Sequence, residues 1–441
     1  MSLSVVKPPA ALPERRRRVV RGGPVLETVE LALELVTPVL GGAAVPRTID
    51  EVDVVRVPSI RGQLRFWWRA LNAQRFTTAT DLYKEESKLF GRAADEGGGR
   101  SQVELRVRVA AASEIDESDI RLYGAGATPG AYALFPARAE AGGTPTAPRR
   151  KPGTRFTLEV RAPKERLEEL RPVLRAWILF GGYGSRTRRG LGSLTVTGAD
   201  KAGWLPKEAS LAEFERLFSR DVFGQEVVPA ELAQTPRLAG ASLLVGEPVA
   251  GAEQAWTTAL NWLRDFRQGT DTGARQEGKG KPSVSNWPEA NNIRRLVPST
   301  WTHPPSPSAG VVTWPRAAFG LPIGVTFLGE GPKEHGKSKK FEITWKDREG
   351  LHNRLASPLI VKAMPLANGK FVPIALWLER AWPPGGQVVL KQAEEQSAAP
   401  FDKLLGQNDP ALFTPLRGKT SLRAAFLDWL AGRPNVKRIA R

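Results

Sequence analysis

Residues 27–36 set Val29, Leu31, Leu33 and Leu35 against Thr28, Glu30, Ala32 and Glu34, the period of two that marks a half-buried strand. Thr37-Pro38 and Gly41-Gly42 end it. After a loop the period changes. Ile60, Leu64, Trp67 and Leu71 fall on one stripe of a helix, with Ser59 as the expected N-cap. A short helix closing on Gly91 follows at 85–91. Strands are then expected at 103–109 and 155–160, with a Gly/Pro/Ala-rich insertion at about 124–153 that holds a possible short strand, 131–135. From Pro163 a helical stretch places Leu167, Leu170, Leu174, Trp177 and Ile178 on one face. Pro172 lies inside it and either kinks it or restarts it as a second helix. A last strand, 193–197, completes the order β-α-β-β-α-β, that of a ferredoxin-like (RRM-type) unit.

Residues 201–240 read as a connector with one amphipathic helix at 211–218. A second unit starts at 241–245. Its first helix, 255–266, points Trp256, Leu260, Leu263 and Phe266 inward. A polar, basic loop covers 269–285. Strand-like runs follow at 323–328, 341–345, 355–363 and 371–378, and a helix at 421–430. The fold class expected is α+β: two tandem ferredoxin-like units with helical and loop insertions, divided as a basic arm (1–24), a first unit (25–200), a connector (201–240) and a more decorated second unit (241–441).

Charge adds a partner to this picture. The 441 residues hold 64 Lys and Arg against 46 Asp and Glu, a formal net charge of +18. Such an excess favours a polyanion, most often nucleic acid. The Pro- and Arg-rich arm, with Arg15 to Arg18, either tracks a phosphate backbone or is a solvated tail. The chain has no cysteine, which excludes disulfides, thiolate metal sites and cysteine nucleophiles. No apolar run approaches the ~20 residues that span a bilayer, and the basic start lacks the apolar stretch of a secretory signal; a cytoplasmic location without membrane contact is expected.

Two stretches concentrate the basic charge. On the first helix Arg61, Arg65 and Arg69 recur at i, i+4 and i+8. Like charges so placed repel by ~0.2–0.5 kcal/mol per pair unless neutralised, by an anionic partner or by neighbouring carboxylates. Gly62, beside them, costs the helix up to ~1 kcal/mol relative to Ala, which close approach of a backbone would justify. Trp68, among these arginines, suits base stacking or packing between helix and loop. The second stretch is 181–192, where Gly181, Gly182, Gly184, Gly190 and Gly192 are interleaved with Arg186, Arg188 and Arg189. Consecutive backbone N–H groups in such turns make anion-binding nests, and arginines add bidentate phosphate donors.

Other motifs carry less. Residues 331–338 fit G-x-x-x-x-G-K-S, yet the alternation of Phe341, Ile343 and Trp345 predicts a hairpin there rather than the helix a phosphate loop must open, so Lys337 is not expected to bind a nucleotide. Residues 273–279 read as a flexible basic loop. His303, His335 and His352 lie in loop-like segments without metal-binding spacing. Asp50, Glu51 and Asp53 are a solvated acidic loop. Nothing calls for a metal or a cofactor. Residues 285–295 offer Trp287 for stacking and Arg294 for phosphate, or use Trp287 to pin a loop onto the core.

The run from Ser59 to Arg69, preceded by Thr37-Pro38 and Gly41-Gly42, resembles the first-helix signature of the CRISPR-associated RAMP superfamily, and 181–192 is similar to its glycine-rich loop. Trp287-Pro288-Glu289 with Ile293-Arg294, Phe319-Gly320-Leu321-Pro322 and Ser357-Pro358-Leu359-Ile360 resemble the second half of the head (cap) subunit of the type III-B Cmr effector complex. The resemblance implies a non-catalytic, RNA-binding ribonucleoprotein subunit in antiviral defence. It would contact the CRISPR RNA (crRNA) 3′ end, single-stranded target RNA and other RAMP subunits. RNA would be held by Arg61, Arg65, Trp68, Arg69, Gly182, Gly184, Arg186, Arg188, Arg189, Gly190 and Arg294. The alternative is a metal-independent CRISPR RNA-processing endoribonuclease using the loop histidines; Asp50 and Asp53, after the first strand, sit where a cutting role is conceivable.

Overall fold

Four layers stack on one another, sheet, helices, sheet, helices. The computed structural model describes residues 25–441 other than 44, 94–97, 125, 141–142, 269–273, 277–282, 286, 302–311, 328–330, 335–336 and 405–413. The arm therefore lies outside the described residues.

The first sheet is built by β1 (Leu26–Leu35), then, after helices α1 (Val57–Asn72) and α2 (Ala79–Phe90), by β2 (Glu104–Ala111) and β3 (Thr154–Pro163); helix α3 (Lys164–Phe180) leads to β4 (Leu194–Val196). Its order is β2-β3-β1-β4, all antiparallel. Leu31 pairs with Leu158 and Leu33 with both Phe156 and Val196, so the alternation read from the sequence places these side chains together under α1 and α3. The opposite face carries Glu30, Glu34, Arg106, Arg108, Arg155 and Arg161, with Arg108 on Glu30 at 3.3 Å and Arg161 near Glu104 at 3.6 Å. It is a solvated, charge-paired surface with no aromatic ring.

Helix α4 (Leu211–Phe218) follows, and Ser210 caps it. The second sheet repeats the order of the first. It starts with strand β5 (Arg237–Val245) and helix α5 (Ala252–Gln268), after which the smaller elements α6 (Pro288–Leu296), β6 (Ile323–Thr326), β7 (Lys340–Asp347) and β8 (Gly350–His352) are inserted. Strands β9 (Leu359–Pro365) and β10 (Phe371–Glu379), then β11 (Gln387–Leu390), helix α7 (Leu422–Ala431) and β12 (Lys437–Ala440) complete the chain. The order is β9-β10-β5-β12, again antiparallel. A separate small sheet joins β6, β7, β8 and β11.

Strand β5 is buried at every residue, because both of its faces are covered. Leu243, Ile360 and Leu376 point to the helices of the first unit, in one core with Trp67, Phe180 and Phe214. Leu244, Val361 and Trp377 point the other way, to Trp256, Leu263 and Phe426 on α5 and α7. Each such aliphatic side chain contributes about 2 kcal/mol on burial, so the face shared between the units is a core rather than a loose contact.

Several elements differ from the sequence reading. Helix α1 begins at Val57 with Arg56 as N-cap, not at Ser59; Pro58, with no N–H to leave unpaired, fits its first turn. Helix α2 is a full 12 residues, capped by Thr78, whose hydroxyl accepts from the Asp81 N–H at 3.0 Å. Residues 131–134 are a short helix instead of a strand: Gly130 turns the chain left-handed, φ +66°, and Pro136 follows. Pro172 does not split α3, which runs unbroken from Lys164 to Phe180. The 355–363 strand starts only at Leu359, since Leu355 pairs with Leu321 outside the second sheet. Lys333–Glu334 pairs with Lys337–Ser338 as a hairpin, so the G-x-x-x-x-G-K-S match opens no helix. Within the basic loop, Ala274–Gln276 pairs with Ser283–Ser285; the remainder of 269–282 lies outside the described residues.

Candidate nucleic-acid interface

The arginine stripe of α1 is turned toward α2. Arg65 donates to Glu86 at 2.8 Å and Arg69 lies 3.0 Å from the other oxygen of the same carboxylate, which is only 2% exposed. Arg65 also donates to the carbonyls of Phe90 and Gly91. Arg61 donates to the Ser101 hydroxyl at 2.8 Å and to the Phe90 carbonyl at 3.2 Å, and its burial, followed by the charge of Arg65, lowers its pKa. Arg61 and Arg65 thus cap the end of α2, and Arg65 and Arg69 share the single carboxylate of Glu86. Arg69 keeps nearly half of its side chain exposed. Trp68 is buried, with its indole N–H on Glu169 at 2.8 Å and its ring against Phe76. It packs between α1 and α3, not against the loop, and presents no face to a base.

The glycine loop is a joint between the units. Arg188 donates to the carbonyl of Ser357, with its guanidinium 5.4 Å from the Phe66 ring centre; Arg189 donates to the carbonyls of Leu359 at 2.8 Å and Phe319 at 3.4 Å. Among the described residues no carboxylate accompanies them, and desolvation pushes Arg188 down to about 10 and Arg189 to about 9. Trp256 on α5 donates to the Arg189 carbonyl at 2.7 Å. Gly190, at φ +76°, lets this happen: a Cβ there would collide with the Trp256 ring and stand 3.0 Å from Lys362 Cα. Gly182 faces the Gly192 carbonyl, which accepts from the Tyr183 N–H at 2.9 Å, and Gly184, at φ +86°, sits over Leu40. The loop's glycines thus serve close backbone packing. Arg186 has the most open surface of the three, but its guanidinium is turned toward Tyr132 and Arg267, where desolvation lowers its pKa as well.

Arg294 is buried over the Phe327 ring, 4.7 Å to its centre. Trp287 is buried too, with its N–H on the Arg267 carbonyl at 3.0 Å and its ring beside Phe266; it pins the segment. Asp50 accepts from the N–H groups of Val52 and Asp53, and Asp53 lies 3.7 Å from Arg56. His352 stacks on Trp345 and meets Asp347 at 2.8 Å; His303 and His335 lie outside the described residues. Among the described residues no three His, Cys, Asp or Glu side chains are grouped to hold a metal ion, and no helix is long and apolar enough to cross a membrane.

What opens to solvent is the other side of α1. Two adjoining hollows run along it and share Gln63. One is lined by Gly42, Arg56, Ser59, Gly62, Gly184 and Ser185, the other by Phe66, Trp67, Gly181, Thr187 and Arg188. Gly62 has nothing within 4 Å of where a side chain would stand. Among the described residues the lining holds no carboxylate, and the buried Trp67 indole N–H finds no protein acceptor. Ser59, Gly62, Gln63 and Phe66 follow the helical spacing i, i+3, i+4, i+7, but polar and mixed residues give that face no periodic signal in the sequence.

Residues 32–195, from the first strand through the glycine-rich joint to the last strand of the first sheet, match the RAMP superfamily model. Among individual relatives, the chain is similar to the CRISPR system Cmr subunit Cmr1-1 of Pyrococcus furiosus, 30% identical over 186 residues. That match takes in 40% of this chain and 52% of the relative, so it spans about half the relative's length. The crystal structure of Cmr1 from Pyrococcus furiosus in its apo form shares the mixed α/β fold, with a TM-score of 0.50 at 15% identity over 94% of this chain and 99% of that one. A chain of the type III-B Cmr-beta complex bound to cognate target RNA aligns more weakly, TM-score 0.42 at 13% identity, over 82% and 97%.

Proposed function

We propose that this chain is an RNA-binding, non-catalytic subunit of a type III-B (Cmr) effector complex, built of two ferredoxin-like units and seated at the head of the complex. The repeated β2-β3-β1-β4 and β9-β10-β5-β12 orders support the tandem architecture, and the Cmr1-1 relative supports the complex. Neighbouring Cmr subunits, the crRNA 3′ end and target RNA are its partners in this reading.

The observation that carries RNA binding is the cleft between α1 and the glycine loop, whose described lining holds no carboxylate, Asp53 reaching only its edge at Arg56. Arg56, Ser59, Gln63, Ser185 and Thr187 line it with donors, Arg186 lies between Ser185 and Thr187 on the same loop, and exposed Gly62 lets a backbone approach closely. Single-stranded RNA laid along it would meet hydrogen-bond donors suited to phosphate, and sequence would be read by pairing with the guide.

Fluorescence anisotropy of a labelled 20-nucleotide RNA across a salt series tests this. Arg186→Ala combined with Gln63→Glu adds a carboxylate and removes a cation without touching the core. The double variant should bind more weakly, and the dependence of log affinity on log salt should flatten by about 0.7 for each phosphate the protein no longer neutralises. Unchanged affinity and slope would remove the cleft from the RNA path.

A further inference from the structure

A second groove lies on the other side of the glycine joint. One wall is formed by residues 122–123 and 127–135 of the first unit; the other is α5 of the second unit, which presents Thr257, Asn261, Arg264 and Gln268 at i, i+4, i+7 and i+11. That spacing is a single helical stripe, and it is polar where the opposite face, with Trp256, Leu260 and Leu263, is core. Among the described residues its lining holds no aspartate or glutamate, although Arg264 is paired with Asp265 beside it at 2.8 Å.

Its two open aromatic rings stand out against the rest of the chain. Trp67, Trp68, Trp177, Trp256, Trp287 and Trp314 are fully buried, whereas Tyr123 is 80% and Phe135 52% exposed; both line this groove. Arg138 lies over Phe135, its guanidinium 3.9 Å from the ring centre. The wall that carries the rings is held in place: Gly130 packs directly on the Trp256 ring, closer than any side chain would allow, and Tyr132 accepts a hydrogen bond from Arg267 at 3.0 Å. Exposed rings on an anchored wall, amide side chains opposite and basic residues around them are the parts of a stacking platform for unpaired bases. An aromatic patch made only for packing against another protein would not require an amide-lined facing wall.

We infer that this groove binds bases of single-stranded RNA, stacked on Tyr123 and Phe135 and edged by Asn261 and Gln268. The inference rests on the RNA-binding reading above and extends it from the phosphates to the bases.

The test compares the full chain's affinity for a labelled uridine 20-mer with that for an abasic 20-mer of the same length. The unmodified chain should prefer the uridine strand. Tyr123→Ala with Phe135→Ala should weaken uridine-strand binding about tenfold or more, bring it close to that of the abasic strand and leave the salt slope unchanged. Phe135→Trp should retain the preference. A double variant that binds the uridine strand as tightly as the unmodified chain would overturn the base platform while leaving RNA binding intact. Failure of the unmodified chain to bind either strand would overturn both readings.

Discussion

Lys362, on a strand of the second sheet, donates to the carbonyl of Gly181 at 2.7 Å and to that of Ile178 at 3.2 Å, at the C-terminus of a helix of the first unit. Carbonyls in the last turn of a helix lack intrahelical partners, so a side chain from one unit completes the end of a helix in the other. Lys362 is wholly buried, and burial pushes its pKa down from 10.5 to about 7. Between those values the unfolded chain binds the proton and the folded chain does not, so stability rises with pH across the window. The contribution is fully present above pH 10.5 and is lost as pH falls through about 7. Lys362→Met should be less stable than the unmodified chain by about 1–3 kcal/mol at high pH, because two buried carbonyls lose their donor. Denaturant titrations at about pH 7, 8.5 and 10 should show that difference shrinking toward the lowest pH.

Gly190→Ala strikes the same joint through sterics. Its φ of +76° is strained for any side chain, and the added carbon meets the Trp256 ring. The expected loss is about 2 kcal/mol or more, read as a lower unfolding midpoint in urea. A midpoint equal to that of the unmodified chain would mean that the joint yields easily.

Gly62→Ala should behave in the opposite sense. The position is helical and open, so alanine should stabilise by up to about 1 kcal/mol. The same methyl intrudes on the cleft along α1. More stable protein with weaker RNA affinity is the expected pair of results, and that combination separates a glycine kept for ligand access from one that is merely tolerated.

Arg65→Met tests the inward-facing stripe. It leaves Glu86, 2% exposed, with Arg69 alone, and should destabilise by about 3 kcal/mol, as expected when one partner of a buried pair is removed. RNA affinity, measured well below the unfolding transition, should keep its salt slope. A flatter slope would return Arg65 to the RNA path.

The periodic elements were legible because their signals are local. The alternation of Leu31, Leu33 and Leu35, and the helix from Leu211 to Phe218, appear in the structure as read. The arginines were visible as charge, but their destinations were not. The partner of Arg65 and Arg69 is a glutamate on the next helix, and those of Arg188 and Arg189 are backbone carbonyls about 170 residues away, which leave no mark in residue type. The glycine loop could be located from its residues, but its use in close packing could not. The open aromatic pair was missed because Tyr123 and Phe135 sit in an insertion without periodicity, opposite a polar stripe that resembles any solvated helix face.

The second sheet has consequences for dissecting the chain. Its strands, with the helices of both units, give it no face of its own to show to water. A chain cleaved within residues 220–236 would therefore yield two pieces, each carrying an uncovered apolar slab: the α1 and α3 side of one, with Trp67 and Phe180, and the Leu243, Ile360 and Leu376 side of the other. Produced separately, such halves should aggregate; produced together, they should reassociate into a nicked particle.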